Sequence, residues 1–466
     1  MTITHDSVET TLTQKTKSIP WFSTFSRIHF IAGIFVAPLI FVAAFSGFFY
    51  ALAPTIEKQL YHEETTATSG QIARPLGEQI DAARTVYPNL PVKGVQVPPD
   101  FQIGTIGNTT TRVLFSDPSF ESKSWSHAVF VDPGSLEVKG DLAQYGSSSA
   151  LPFRAWLSDG HRRLWAGDAG RVYSETAASW LGPLAVTGVL LWFVTRTPKQ
   201  QGAAKRSAAK KGSRRVSANR HSLIGLIAVP GLIFLCVTGL TWSHYAGDNI
   251  AELRTELNWL PPKSQTALPP AAADAAQAAS ATTTGLDAQA QTVLSAAREA
   301  GLTGILQVNP PATTDQAWVA TEIRQAFKLH NDSVSINGVT GEVVANQPFS
   351  SWPFAAQATA WLIQLHMGTL FGIYSQLALA VLALMILILV SYGYTMWFKR
   401  GRGSRAGKLP RPIEWSRLPR WALVTFGICL IGYAVLAPLF GVTLVAFMLV
   451  DALVRAVQRR RSGEVA

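Results

Sequence analysis

Cysteine is almost missing from this chain: Cys236 and Cys429 are the only two in 466 residues, and both fall inside apolar runs. A disulfide framework, a zinc finger and a CxxC redox site are therefore excluded. There is no G-x-G-x-x-G after a strand, no G-x-x-x-x-G-K-[ST] and no H-E-x-x-H. No soluble stretch is large enough for both a flavin and a nicotinamide, so any electrons must come from a quinol or a separate reductase. Charge is sparse as well, at 15% of residues, against 48% apolar and a mean hydropathy of +0.19.

What is there is a set of long apolar runs, at about 28–52, 174–195, 221–243, 374–398 and 421–454. Each is long enough to cross a bilayer core of about 30 Å. The first is too long for a signal-peptide core and reads as an uncleaved anchor. The last is interrupted at Ala437-Pro438-Leu439-Phe440-Gly441, which favours two short spans, 419–436 and 438–455, over one. Five or six membrane helices are expected.

The net charge of +11 follows topology rather than a nucleic-acid surface. Residues 196–220 hold nine Lys/Arg and no acid, and 399–420 hold eight with only Glu414. The segments 50–175 and 244–360 are net acidic. Positive-inside bias puts the amino terminus and both basic loops in the cytoplasm, the basic loops also touching anionic lipid, and places the acidic segments outside an inner membrane. The chain then divides into a tail (1–20), a helix (21–52), an outer domain (53–150), a histidine segment with helix (151–196), a basic loop (197–219) and a helix (220–243). A second outer domain (244–355, with an Ala/Thr/Ser/Pro linker at 264–284), a second histidine segment with helix (356–398), a basic loop (399–420), the final span or hairpin (421–455) and a tail (456–466) follow. In each outer domain, one amphipathic helix and short alternating runs joined by Pro-Gly or Asn-Gly turns suggest antiparallel ribbons on a helix. The expected fold class is an all-α membrane bundle built from a tandem two-helix repeat, carrying two small α+β outer domains.

The repeat is carried by histidines. Gly, Pro and Gly follow His29 by 4, 9 and 18 residues (Gly33, Pro38, Gly47) and follow His221 by the same intervals (Gly225, Pro230, Gly239). Around His161 and His366, Trp, Leu, Gly, Gly, Trp and Phe recur at −5, −4, +6, +27, +31 and +32. At about 100° per residue, the glycines at +4 and +18 share the histidine's helix face, where lost side-chain bulk admits a flat macrocycle or another helix. Histidine in an apolar span is costly without a partner. Topology pairs His29 with His221 on the inner side and His161 with His366 on the outer side, each pair suited to supply both axial nitrogens of one haem iron. Duplication of a structural histidine is the bland alternative. His244, with Leu52 at its repeat-equivalent place, is a further candidate ligand or substrate residue. Arg27, Arg220, Arg162 and Arg163 flank the histidines and could serve haem propionates or lipid headgroups. The many tryptophans suit an interfacial belt.

The motifs Arg27-Ile-His29-Phe-Ile-Ala-Gly33, His161-Arg-Arg-Leu-Trp-Ala-Gly167, Thr187-Gly-Val-Leu-Leu-Trp192, Asn219-Arg-His221 and Val131-Asp-Pro-Gly-Ser resemble the PepSY-associated transmembrane family over about 20–455. In the first outer domain Gly134-Ser135-Leu136 stands where Thr-Gly is usual, and Met367-Gly-Thr follows His366 where the family has a basic residue. The resemblance implies PepSY-like outer domains and a di-haem b oxidoreductase that passes electrons outward to a ferric siderophore or other ferric chelate, in iron acquisition. Two other classes fit the same sequence. One is a non-enzymatic PepSY protein binding a partner or peptidase. The other is a transporter of haem, metal or siderophore, against which the parallel repeat argues.

Overall fold

A computed structural model describes residues 20–195, 214–270, 272, 285–399 and 418–461. The features expected of the amino-terminal tail, the basic loops, most of the 264–284 linker and the last residues lie outside this set.

Among the described residues, four helices are long and apolar enough to span a membrane: α1 (Pro20–Leu60), α5 (Gly167–Thr195), α6 (Arg214–Thr241) and α10 (Ile373–Lys399). They close a ring in which α1 packs on α5 and α10, and α6 packs on the same two. Thus α1 and α6, the first helix of each repeat, face each other across the middle. Alanines 32, 44, 177, 185, 228 and 383 are buried between the helices, where small side chains let backbones approach. The 41 residues of α1 extend about 60 Å, twice the hydrocarbon thickness, so its last turns leave the bilayer and reach the sheet.

The last apolar stretch is a hairpin. α11 (Arg420–Leu436) stops at Ala437, and Pro438 opens α12 (Pro438–Arg461). The hairpin leans on α5, where Trp180 Nε1–H donates to Thr443 Oγ1 at 2.8 Å, and on α1, where Arg27 pairs with Asp451.

The expectation of an all-α bundle with two separate small domains is overturned. Eight antiparallel strands form one continuous sheet in the order β4-β3-β2-β1-β5-β6-β7-β8. The first repeat gives β1 (Val92–Val97), β2 (Thr111–Phe115), β3 (Trp125–Val131) and β4 (Val138–Tyr145). The second gives β5 (Leu306–Asn309), β6 (Trp318–Glu322), β7 (Ser333–Ile336) and β8 (Val343–Gln347). The halves join where β1 pairs with β5, with Val95, Gln96 and Val97 opposite Val308, Gln307 and Leu306. The physical reason is the edge: separate four-stranded sheets would leave β1 and β5 as open ladders, and pairing them removes those two edges, so that only β4 and β8 remain at the rim. Their cores also merge. Helices α3 (Leu76–Arg84) and α8 (Gly285–Glu299) lie together on one face of the sheet, and Leu76, Ile80, Val293, Leu294, Val95, Val308 and Trp318 form one buried cluster. Arg84 bridges the halves to Asp287 at 2.9 Å.

The opposite face meets the helix ends, with Leu114, Ala128 and Phe130 packed on Leu151 and Tyr61. The two tight turns use the same chemistry. Asp132 is fully buried and accepts from Thr68 N, Ser69 N, Ser69 Oγ, Gly134 N and Ser135 N at 2.6–3.2 Å. Burial works against its charge, but these hydrogen bonds win and hold its pKa at about 2. At the equivalent turn Asn337 Oδ1 accepts from Val339 N at 2.9 Å and Thr340 N at 3.3 Å.

Candidate functional site

Two cavities lie one above the other inside the helix ring. The one away from the sheet, ≈ 410 Å³, is lined by both His29 and His221; the one nearer the sheet, ≈ 450 Å³, is lined by both His161 and His366. Ile40, Leu181 and Ile386 line both and form an apolar septum between them. Each volume is in the range of about 300–1,000 Å³ common for bound small molecules.

The distal histidines come from α1 and α6, and their rings stand 6.1 Å apart between centroids at 81°. An imidazole nitrogen lies about 1.1 Å from its ring centre and a metal–imidazole bond is about 2.0–2.1 Å, so imidazoles on opposite sides of one metal are about 6.3 Å apart. The observed spacing fits that arrangement. The proximal histidines end short helices, α4 (Pro152–Arg163) and α9 (Phe354–His366), that lie just outside the spanning ring.

All four rings are held by Nδ1. His29 Nδ1 lies 3.1 Å from Thr187 Oγ1, His161 Nδ1 3.1 Å from Ser46 Oγ, and His366 Nδ1 2.6 Å from Thr238 Oγ1. Each of those hydroxyls already donates to the carbonyl four residues back, of Pro183, Val42 and Phe234 at 2.7–2.9 Å. The hydroxyl can then only accept, so Nδ1 carries the proton. His221 Nδ1–H donates to the Leu389 carbonyl at 3.0 Å. In every case the lone pair is left on Nε2, the state a metal-bound imidazole needs, with the second nitrogen fixed as it is in metal sites.

These hydroxyls escaped the sequence reading, although a signal was present: Ser46, Thr187 and Thr238 each immediately precede a repeat glycine, Gly47, Gly188 and Gly239. The fourth such glycine, Gly393, follows Tyr392, and there the carbonyl of Leu389 substitutes. The glycines themselves make room. A Cβ at Gly47 would stand 3.1 Å from His161 Cε1, and one at Gly188 3.3 Å from His29 Cε1. Gly33, Gly188, Gly225 and Gly393 all line the distal cavity, leaving space for a flat macrocycle beside the rings.

The expected basic partners divide. Arg162 lines the proximal cavity and reaches Ser158 Oγ at 3.2 Å. Arg163 pairs with Asp159 at 2.6 Å, Arg27 with Asp451, and Arg220 donates to Tyr392 OH at 3.1 Å; none of these three lines a cavity. Arg171 and Arg324, which the motifs did not single out, line the proximal cavity, and Arg214 lines the distal one. His244 precedes α7 (Tyr245–Glu256) and also lines the proximal cavity, with half of its side chain exposed and Asp248 at 3.6 Å. The buried Glu175 in the same wall accepts the backbone N–H groups of His244, Tyr245 and Ala246 at 2.8–3.0 Å, a carboxylate cap on the start of α7. Trp242 stands edge-on to His366 at 5.3 Å.

Fold and site together define a membrane protein in which, among the described residues, four helices are long and apolar enough to span the bilayer, with two stacked histidine cavities and one sheet outside the helices. Residues 26–400 match the PepSY-associated TM region family, and the chain belongs to that family. No curated protein matches the chain.

Proposed function

We propose that this protein carries electrons across the inner membrane on two haem b groups, one in each cavity, and delivers them on the sheet side to an extracytoplasmic ferric chelate such as a ferric siderophore. The observation that carries the reading is the common state of four histidines, paired in two cavities with Nδ1 engaged and Nε2 free. A haem in each cavity would supply a reversible one-electron iron centre. The chain's own residues do the rest. The Nε2 atoms of His29 and His221 would hold the iron of one haem and those of His161 and His366 the iron of the other, while Thr187, Ser46, Thr238 and the Leu389 carbonyl keep the lone pair of each ring on Nε2. Arg162 and Arg171 offer positive partners for propionates at the proximal cavity. The septum of Ile40, Leu181 and Ile386 keeps water from running between the cavities.

The basic loops support a cytoplasmic amino terminus and an outward-facing sheet. An electron entering from a quinol or a separate reductase at the distal side would leave near the sheet, converting iron(III) to iron(II), which hard oxygen donors hold less well. The test is a visible spectrum of the detergent-purified chain, oxidised and dithionite-reduced, with haem counted per chain. About two equivalents of low-spin b-type haem are expected. A colourless protein from haem-replete cells would sink the reading.

A further inference from the structure

A third cavity, of ≈ 380 Å³, lies beneath the seam where β1 pairs with β5. Both halves of the chain contribute to it, and its charges are one-sided. Lys58, Arg112, Arg154 and Arg324 line it, against Glu57 as the single acid. That acid is already engaged: Glu57 accepts from Arg154 Nε at 3.2 Å and from Leu151 N at 3.0 Å. Arg154 is thereby neutralised, and three cations remain.

Arg112 rests on the Phe130 ring at 5.0 Å and reaches only Gln144 Oε1, at 3.5 Å. Burial pushes its guanidinium down to about 10, the nearby Arg154 adds to this, and Glu57, already bonded to Arg154, offsets only part of it. Arg324 makes no ion pair or hydrogen bond among the described residues, and Lys58 is exposed beside the cavity. Cations drawn from water without carboxylate partners are costly unless an anion joins them. The position matters too, because Arg324, Ser148 and Met367 line both this cavity and the proximal histidine cavity.

We propose that this cavity binds a small polycarboxylate anion, free or as its ferric complex, held by Arg112, Arg324 and Lys58. Planar guanidinium groups suit carboxylates in bidentate pairs. Three cations on separate elements suit several separated charges better than one compact phosphate. A neutral hydroxamate chelate would leave the cations unanswered. The binding stands on its own; only the role of the bound iron as electron acceptor rests on the electron-transfer reading.

A carboxylate could also come from a propionate of haem in the neighbouring cavity, so the test must separate the two sources. The full chain in detergent is titrated with citrate, with ferric citrate and with inorganic phosphate by calorimetry, and haem is counted in the same samples. One saturable citrate site per chain is expected. Arg324→Gln and Arg112→Gln should each weaken it at least about tenfold, and Arg324→Lys should weaken it less. Unchanged thermal melting of each variant shows that the fold is kept. No saturable citrate binding, equal affinity in Arg324→Gln, or phosphate binding as tightly as citrate would overturn the proposal. It would also fall if Arg324→Gln kept citrate affinity and lost a haem equivalent, since the arginine would then serve a propionate. Citrate binding to a colourless protein would uphold this site while the electron-transfer reading failed.

Discussion

The distal cavity is walled by Phe30, Ile34, Val189, Trp192 and Val390 with Arg214 as its one charged group besides the histidines, whereas the proximal cavity is walled by Arg162, Arg171 and Arg324 with Glu175 as its single acid. The distal histidines sit within spanning helices, and the proximal ones end short helices next to the sheet. One histidine plan has thus been set in two electrostatic surroundings. Positive charge near a redox centre stabilises its reduced form, most strongly where water is scarce. With a haem in each cavity, as proposed above, the proximal site would be the better electron acceptor of the two, and transfer from distal to proximal would run downhill, towards the sheet.

The sharpest way to break this comparison is to delete its ligands. His29→Ala or His221→Ala should remove about one haem equivalent and leave the higher-potential centre. His161→Ala or His366→Ala should remove the other and leave the lower-potential one. Haem content with a redox titration of each variant reads both; two equivalents in every single variant would refute the axial assignment.

A smaller effect is expected from the hydroxyls. Thr187→Val and Thr238→Val remove the acceptor for Nδ1–H without changing shape greatly, and each should weaken retention of one haem by about 10- to 100-fold. Haem transfer to an apo-protein scavenger measures this. Arg171→Gln tests the electrostatic half of the comparison, since it should lower the proximal midpoint potential and leave the distal one in place.

The smallest effect contrasts the two turns of the sheet. Asp132→Asn keeps the oxygen that Asn337 uses but replaces the one that accepts from Thr68 N and Ser69 N. The cost should be about 1–3 kcal/mol, read by thermal melting. The native carboxylate has its pKa lowered to about 2, from about 3.9 when unfolded. Its contribution is complete above about pH 4 and is lost as the pH falls towards 2, while the Asn variant should lack this dependence.

The repeat offsets placed the spanning helices and the four histidines, because helix periodicity and membrane cost both act on side chains that a sequence displays. The junction of β1 with β5 was not legible, since it is made by backbone N–H and C=O groups common to every residue. Val95 and Val308 read as core positions whichever strand lies beside them. Arg324 was invisible for a related reason: it follows β6 in an unremarkable run, and only the folded chain sets it against Arg112. The hydroxyls before the glycines were legible in principle, at Ser46, Thr187 and Thr238, but single small polar residues in helices carry little weight until a ring is seen against them.

The seam also bears on what half of this protein could be. Each cavity takes one histidine from each repeat, and the two half-sheets become one only where β1 meets β5. A single repeat would hold half of two sites and an open strand edge, so it could complete itself only by pairing with a second copy about a two-fold axis. The chain is in this sense a dimer with its subunits fused. Fusion frees the two halves to diverge, and the Leu389 carbonyl at His221 against the Thr187 hydroxyl at His29 is one such divergence.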